Sequence, residues 1–311
     1  MTFLITQIKK SIMSKKQTKK ERLSASGTGY ASTYGSTINK NPGKWNNRLL
    51  IGTPMTGLVR SEWMIARYGQ TIPTNWSHSE VMQWMSSLVP IRYQVADAEN
   101  IIAKACVEGN YEWLLFIESD NILPAETFVK LNQYMIKGDT PVVGGLYFTK
   151  SVPPEPMIYR KPGGGYFADW KMGEKVWCRG LPFGCTLIHG DIIRQLWNIA
   201  PEYMVGNTLT RRVFKHPEDV YIDPNGQDFV LSQGTTDLNF CNELIASNIF
   251  EKAGWGSTSK HLGGIDYQKK EFPFLVDTSI FIQHIDNDGI KYPLSLPKPF
   301  LEGKKTLQEC L

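Results

Sequence analysis

The chain has 311 residues, of which 41% are apolar, 12% aromatic and 21% charged, with a formal net charge of +4. That composition supports a large buried core and excludes disorder along the whole length. No run approaches the ~18 apolar residues of a membrane-spanning helix, and the opening Phe3-Leu4-Ile5 patch is too short for a signal-peptide core. Five widely spaced cysteines read as reduced thiols of a cytoplasmic protein, not as a disulfide framework.

Charge is unevenly distributed. Residues 1–47 hold nine bases against one acid, which leaves 25 bases and 29 acids in the rest. The segment is therefore expected to be a basic, disordered N-terminal arm. Its second half, Ser24 to Thr37, is rich in Ser, Thr, Gly and Tyr and has too little apolar surface to order itself. Such an arm acts either as a solvated tail or as a contact for an anionic polymer.

Ordered structure is expected from Arg48. Leu49-Leu50-Ile51-Gly52 reads as a strand stopped by Thr53-Pro54. Ser79–Leu88 reads as helical. Asp97 then reads as the N-cap of a helix to Glu108, with Gly109 following it. Trp113 to Ile117 is apolar throughout, as expected of a central strand covered on both faces. Pro124 opens a helix with Phe128, Leu131 and Met135 on one face, and Gly138 ends it. Pro141–Tyr147 is the next strand. This alternation predicts a mostly parallel sheet with helices on both faces.

The second half is less regular. Phe183–His189 reads as a strand, and Asp191 as the cap of a short helix to Trp197. Thr236-Asp237 starts a helix with Leu238, Cys241 and Ile245 on one face. Val276–His284 reads as a late strand, and residues 293–311 as an extended C-terminal tail. A main domain over 48–292 is expected, with a nucleotide-binding half at 48–148 and an acceptor half at 149–292. Phosphate-binding glycine loops, serine-nucleophile elbows and zinc-ligand spacings are absent from the sequence.

The informative segment is Glu112-Trp113-Leu114-Leu115-Phe116-Ile117-Glu118-Ser119-Asp120-Asn121. An apolar strand ends in two carboxylates at i and i+2, which point the same way on extended chain. Open α/β sheets bind ligands beyond the carboxyl ends of their strands. Two oxygen donors there suit Mg²⁺ or Mn²⁺ carrying a phosphorylated ligand. The competing reading is a polar turn in which Asp120 merely precedes a helix.

Glu118-Ser119-Asp120 resembles the Asp-x-Asp segment of GT-A fold, nucleotide-sugar-dependent glycosyltransferases, especially the family-two type. Further matches follow in the family's order over roughly residues 48–290. Ile51 to Pro54 with Arg60 resembles the first strand and nucleotide-contacting loop, and Asp97 to Asn100 the segment before the central strand. Val143–Tyr147 resembles the strand after the next helix. Pro182–Ile188 resembles the strand lining the donor sugar, and Thr236–Cys241 the helix start that supplies a catalytic carboxylate. Val276 to His284 resembles the late strand ending in a metal-binding histidine. Glu118 stands where the family's first Asp is usual, and Thr236 where an acid is frequent.

The resemblance implies a three-layer α/β/α GT-A domain and a nucleotide-diphosphate sugar as donor. It implies Thr53, Pro54, Arg60, Asp97, Asn100, Glu118 and Gly184 as donor contacts, and Glu118, Asp120 and His284 around the metal. Asp237 is implied as general base in an inverting transfer. A helix N-terminus would by itself favour its ionised form. His284 precedes the polar run Asp286-Asn287-Asp288-Gly289, so the competing reading is a surface histidine. Tyr166, Trp170 and Trp177 are candidates for an acceptor platform, or for core. The acceptor is left open among glycan, protein and modified nucleic acid. The alternatives are a degenerate GT-A domain that binds glycan or nucleic acid without catalysis, and a sugar nucleotidyltransferase.

Overall fold

The computed structural model describes residues 47–73, 76, 85–161, 165–216, 218–222, 228–232, 234–255 and 272–310. The expected basic arm, up to residue 46, lies outside them. So does the first part of the helix expected over Ser79–Leu88.

Chain order begins with β1 (Asn47–Gly52), α1 (Ser61–Tyr68), β2 (Met85–Leu88), α2 (Val95–Glu108), β3 (Tyr111–Ile117), β4 (Asn121–Ile122), α3 (Thr127–Lys137) and β5 (Val142–Leu146). It continues with β6 (Lys175–Cys178), β7 (Cys185–His189), α4 (Gly190–Ile199), β8 (Glu202–Val205), β9 (Thr208–Arg211), β10 (Glu218–Ile222) and β11 (Asp228–Ser232). The last elements are α5 (Thr236–Ala246), α6 (Ile249–Lys252), β12 (Phe274–Phe281), β13 (Gln283–Ile285), β14 (Lys291–Tyr292) and α7 (Lys298–Leu301).

Seven strands form the central sheet in the order β2-β1-β3-β7-β5-β12-β6. β2, β1, β3, β5 and β12 run one way. β7 and β6 run against them, β7 between β3 and β5 and β6 at the edge beyond β12. The sheet is thus mostly parallel, and strands from both halves of the chain interleave in it.

Side chains alternate across the sheet as the pleat requires. Leu50, Leu114, Phe116 and Ile188 join α2, α4 and α5 in one core. Leu49, Ile51, Trp113, Leu115 and Leu187 join α3 in the other. This makes three layers, helices–sheet–helices. All seven residues of β3 are buried, as its apolar run predicts. At the far end of the sheet, the buried Arg48 guanidinium pairs with Glu112.

Several local expectations are corrected. Met85–Leu88 is a strand, β2, paired with β1; parallel pairing overrides its helical appearance. Gln94, not Asp97, caps α2, and Asp97 lies in the first turn. His189, not Asp191, caps α4, accepting the Asp191 N–H at its ring nitrogen. Val276–His284 is not one strand: β12 ends at Phe281 and β13 starts at Gln283. On α5 the buried face centres on Phe240, Cys241 and Leu244 instead of Leu238 and Ile245. The tail is not extended throughout. It forms α7, and its buried Phe300 packs edge-on against Trp170 at 5.1 Å.

Candidate metal and donor site

β3 ends at Ile117, and the next residues leave the sheet beside the start of β7. The Glu118 N–H donates to the Gly184 carbonyl at 3.1 Å. The buried Trp63 of α1 donates its indole N–H to the Glu118 carbonyl at 2.8 Å. These bonds pin the backbone of Glu118 where two strands diverge.

A short three-stranded sheet completes the corner. β13 pairs antiparallel with β4, placing His284 opposite Asn121. The Ile285 N–H donates to the Asp120 carbonyl at 2.8 Å. A residue remote in sequence is thereby fixed beside the β3 carboxylates. Glu118, Asp120 and His284 each offer one ligand atom, and these atoms lie within 4.8 Å of one another.

The donor set suits a divalent cation. His284 Nδ1 lies 2.7 Å from the Phe148 carbonyl oxygen. A carbonyl only accepts, so Nδ1 carries the proton and Nε2 keeps its lone pair. Burial lowers the imidazole's proton affinity and so favours the neutral ring, although the Asp120 charge opposes this. The histidine is buried, not on the surface, and its ring meets Tyr147 edge-on at 4.8 Å. Two carboxylates supply hard oxygen donors, and the neutral imidazole adds a nitrogen donor of the kind transition-metal ions take.

Electrostatics concentrate on Glu118. Burial, then the charges of Asp120 and Asp237, push its carboxyl up to about 8. Asn121 offsets part of this by donating to Glu118 Oε2 at 3.3 Å. Lys150, which sequence reading passed over, donates to Asp120 Oδ2 at 2.5 Å.

Asp237 occupies the first turn of α5 and is buried. It accepts from the Leu238 N–H at 2.7 Å and from the Thr235 hydroxyl. Burial outweighs these bonds and raises the carboxyl's pKa. The expectation from the helix N-terminus alone therefore has the wrong sign, and a higher pKa makes a stronger base.

Glu99, also missed, lies on α2 beneath this turn. It is 1% exposed, and Oε1 accepts from the Thr236 hydroxyl at 3.1 Å. Its Oε2 has no hydrogen-bond partner among the described residues. Burial, with the Asp237 and Glu118 charges adding to it, holds its pKa well above the usual range. An acid on the buried face of an amphipathic helix was the available signal.

Gly184 and Tyr147 form the wall between these groups. The Gly184 N–H donates to the Tyr147 hydroxyl at 2.8 Å. A Cβ on Gly184 would lie 2.4 Å from Asn121 Nδ2 and 2.5 Å from the Tyr147 ring, so only glycine fits the approach.

The other expected donor contacts divide. Thr53 is buried directly after β1, its N–H bonded to the Leu88 carbonyl, with Pro54 half-buried beyond it. Arg60 reaches the loop after β13, donating to the Asn287 carbonyl at 2.9 Å and to Glu62 at 3.3 Å. Asn100 is not brought to the cluster. Its amide donates to the Phe214 carbonyl and the Tyr203 hydroxyl, both at 2.8 Å, and accepts the Phe214 N–H at 2.8 Å. Asp97 accepts from the Tyr203 hydroxyl at 2.8 Å. Both residues serve the packing of the β8–β9 region. Trp170 is likewise core, buried against Phe300 and donating to the Phe167 carbonyl, and is no acceptor platform. Tyr166 is half-buried beside that core, and Trp177 is half-buried against the core on the sheet's other face.

No helix among the described residues is long and apolar enough to cross a membrane. No family model matches the chain, and no curated protein matches it. Solved structures similar to it include A197 from STIV, at 15% identity over 79% of this chain and 90% of that one, with a TM-score of 0.45. Another is S. aureus TarS 1–349 in complex with UDP, at 11% identity over 50% of each chain, with a TM-score of 0.28. A third is a glycosyltransferase involved in the glycosylation of the major capsid of PBCV-1, at 12% identity. That match covers 49% of this chain and 66% of the other, with a TM-score of 0.22. The chain thus spans about half the length of the TarS fragment.

Proposed function

We propose that the protein is a metal-dependent glycosyltransferase that moves a sugar from a nucleotide-diphosphate sugar to an acceptor hydroxyl, with inversion. The observation that carries this reading is the meeting of Glu118, Asp120 and His284 at the carboxyl end of β3, with His284 held by Phe148 in the tautomer that leaves Nε2 unprotonated. Asp120 and His284 would hold Mn²⁺ or Mg²⁺, with Glu118 as a further ligand or a partner of metal-bound water. When bound, such an ion supplies Lewis-acid stabilisation of the leaving diphosphate.

The chain's own residues supply the remainder. Thr53, Pro54 and Arg60 border the donor at the ends of β1 and α1. Gly184 lets the sugar approach the backbone beside Tyr147. Asp237 takes the proton from the acceptor hydroxyl as its oxygen attacks the anomeric carbon, and the bond from that carbon to the diphosphate oxygen breaks. The buried setting of Asp237 raises its basicity for this step.

The test is thermal unfolding of the full chain with UDP, GDP, CDP or dTDP, with and without Mn²⁺. One nucleotide at ~100 times its dissociation constant is expected to add ~2.7 kcal/mol of stability, only when Mn²⁺ is present. Asp120→Ala is expected to abolish that metal dependence. Undiminished metal-stimulated binding by this variant would remove the assignment.

A further inference from the structure

A side-chain cation already sits at the carboxylate cluster. Lys150 Nζ lies 2.5 Å from Asp120 Oδ2. Its charge is also felt at Glu118 and at His284, where it works against protonation. The two side chains of the pair are 35% and 39% exposed, so an incoming ligand can reach them. Among the described residues, Asp120 is the carboxylate partner of this ammonium.

The backbone beneath Lys150 is anchored. Phe148 bridges to Pro156, and its carbonyl is the one that fixes the His284 ring. The Thr149 N–H donates to the Glu155 carbonyl at 2.9 Å, and the Glu155 N–H donates to the Thr149 hydroxyl oxygen at 3.0 Å. The Ser151 hydroxyl donates to the Pro153 carbonyl at 2.8 Å. The loop from Phe148 to Pro156 is thus closed at its neck. The exposed lysine turns above it on a flexible four-carbon stem.

Charge decides what that side chain can do. A divalent cation on Asp120 would take the carboxylate from the ammonium and set like charges against each other. An anion arriving with the cation relieves both effects. A diphosphate has oxygens beyond those a cation uses, and lysine binds phosphate as a point charge that needs no fixed fork geometry. Without a cation the ammonium is engaged by Asp120, so it offers a diphosphate little.

We propose that Lys150 is a diphosphate-binding residue held in reserve on Asp120, released when a divalent cation takes that carboxylate, so that cation and diphosphate bind cooperatively. This deepens the donor reading of the same site and rests on it.

The experiment is calorimetric titration of the full chain with Mn²⁺, and with pyrophosphate, UDP, GDP, CDP and dTDP in the presence and absence of Mn²⁺. Mn²⁺ is expected to raise the wild-type affinity for at least one of these anions by about tenfold or more, within the usual range of coupling between sites. Lys150→Ala is expected to cut that enhancement at least about fivefold, and linkage requires the anion's effect on Mn²⁺ affinity to shrink by the same factor. Lys150→Arg, which keeps the charge, is expected to restore most of it. The side chain is exposed, so both variants keep the fold. A purely structural ion pair would leave the enhancement unchanged in Lys150→Ala, and that result would overturn the proposal. Weaker Mn²⁺ binding by this variant in the absence of any anion would overturn it too. Both outcomes leave the donor reading standing if the wild type shows Mn²⁺-dependent anion binding. Absence of that binding in the wild type would remove the donor reading, and the role of Lys150 with it.

Discussion

Lys150 Nζ lies 2.5 Å from Asp120 Oδ2, so an ammonium from the segment after β5 neutralises the carboxylate that ends the central strand. Both side chains are more than a third exposed or close to it, at 35% and 39%, so solvent screens the pair. An exposed pair of this kind contributes ~0.2–1 kcal/mol. A metal ion binding at Asp120 competes with that contribution. Lys150→Ala is therefore expected to bind Mn²⁺ more tightly in the absence of nucleotide, by up to about fivefold on the same estimate. Calorimetric titration checks this, and weaker binding by the variant would show that Lys150 assists the cation instead of competing with it.

Metal affinity is expected to rise with pH. The Glu118 carboxyl is pushed up to about 8, so at pH 6 it is protonated, and its proton leaves when a cation takes the oxygen. His284 is held towards its neutral form by burial and adds no opposing trend above its lowered pKa. Apparent affinity should climb about tenfold per pH unit below 8 and level off above it. The metal-free fold has the opposite trend. Glu118's raised pKa contributes stability that is fully present below its unfolded value near 4.5 and is lost as pH rises through about 8. Titrations in buffers of different ionisation enthalpy count the released proton. A pH-independent affinity from 6 to 9 would exclude Glu118 from the shell.

Asp237→Asn is expected to keep Mn²⁺-dependent nucleotide binding and to lose transfer by ~10²–10⁴-fold, the range typical of a positioned proton acceptor. The amide retains the shape and can still accept from Leu238, so the fold should persist. Donor turnover measured under saturating nucleotide-sugar separates the two effects. Full turnover would leave the acceptor proton to another group.

Asn100→Ala is expected to damage stability, not donor binding. The substitution strips the Phe214 N–H and carbonyl of their partners inside the protein, and each buried orphan costs ~1–3 kcal/mol. Denaturant unfolding should report a loss of roughly 2–4 kcal/mol on that scale. Metal–nucleotide affinity, measured well below the unfolding midpoint, should be unchanged. Normal stability with weakened nucleotide binding would return Asn100 to the donor site.

Much of this architecture follows from local pattern. The uninterrupted apolar run of β3 specifies a strand covered on both faces, and all of it is buried. Glu118 and Asp120 follow where that strand stops, but they lie in a turn and not on extended chain, so the i, i+2 alternation is not what brings them together. Gly138 ends α3 in a left-handed conformation that glycine tolerates without strain. These features depend on periodicity and on single-residue conformational limits, which neighbouring residues carry within a few positions.

Long-range pairing decided the rest. β7 runs antiparallel between β3 and β5, and that insertion seats Gly184 against Glu118. β13 pairs with β4, and that ladder delivers His284 to the carboxylates and buries it. Lys150 and Tyr147 join the site only because separate elements converge there; no local spacing announces them. Asp237 makes the same point in electrostatics. A helix N-terminus read from sequence favours its charged form, but burial reverses the sign. Sequence alone determined which residues are chemically able to act at the end of this sheet. Which of them meet, and in which protonation state, was decided by strand pairing and desolvation, which depend on neighbours more than a hundred residues away.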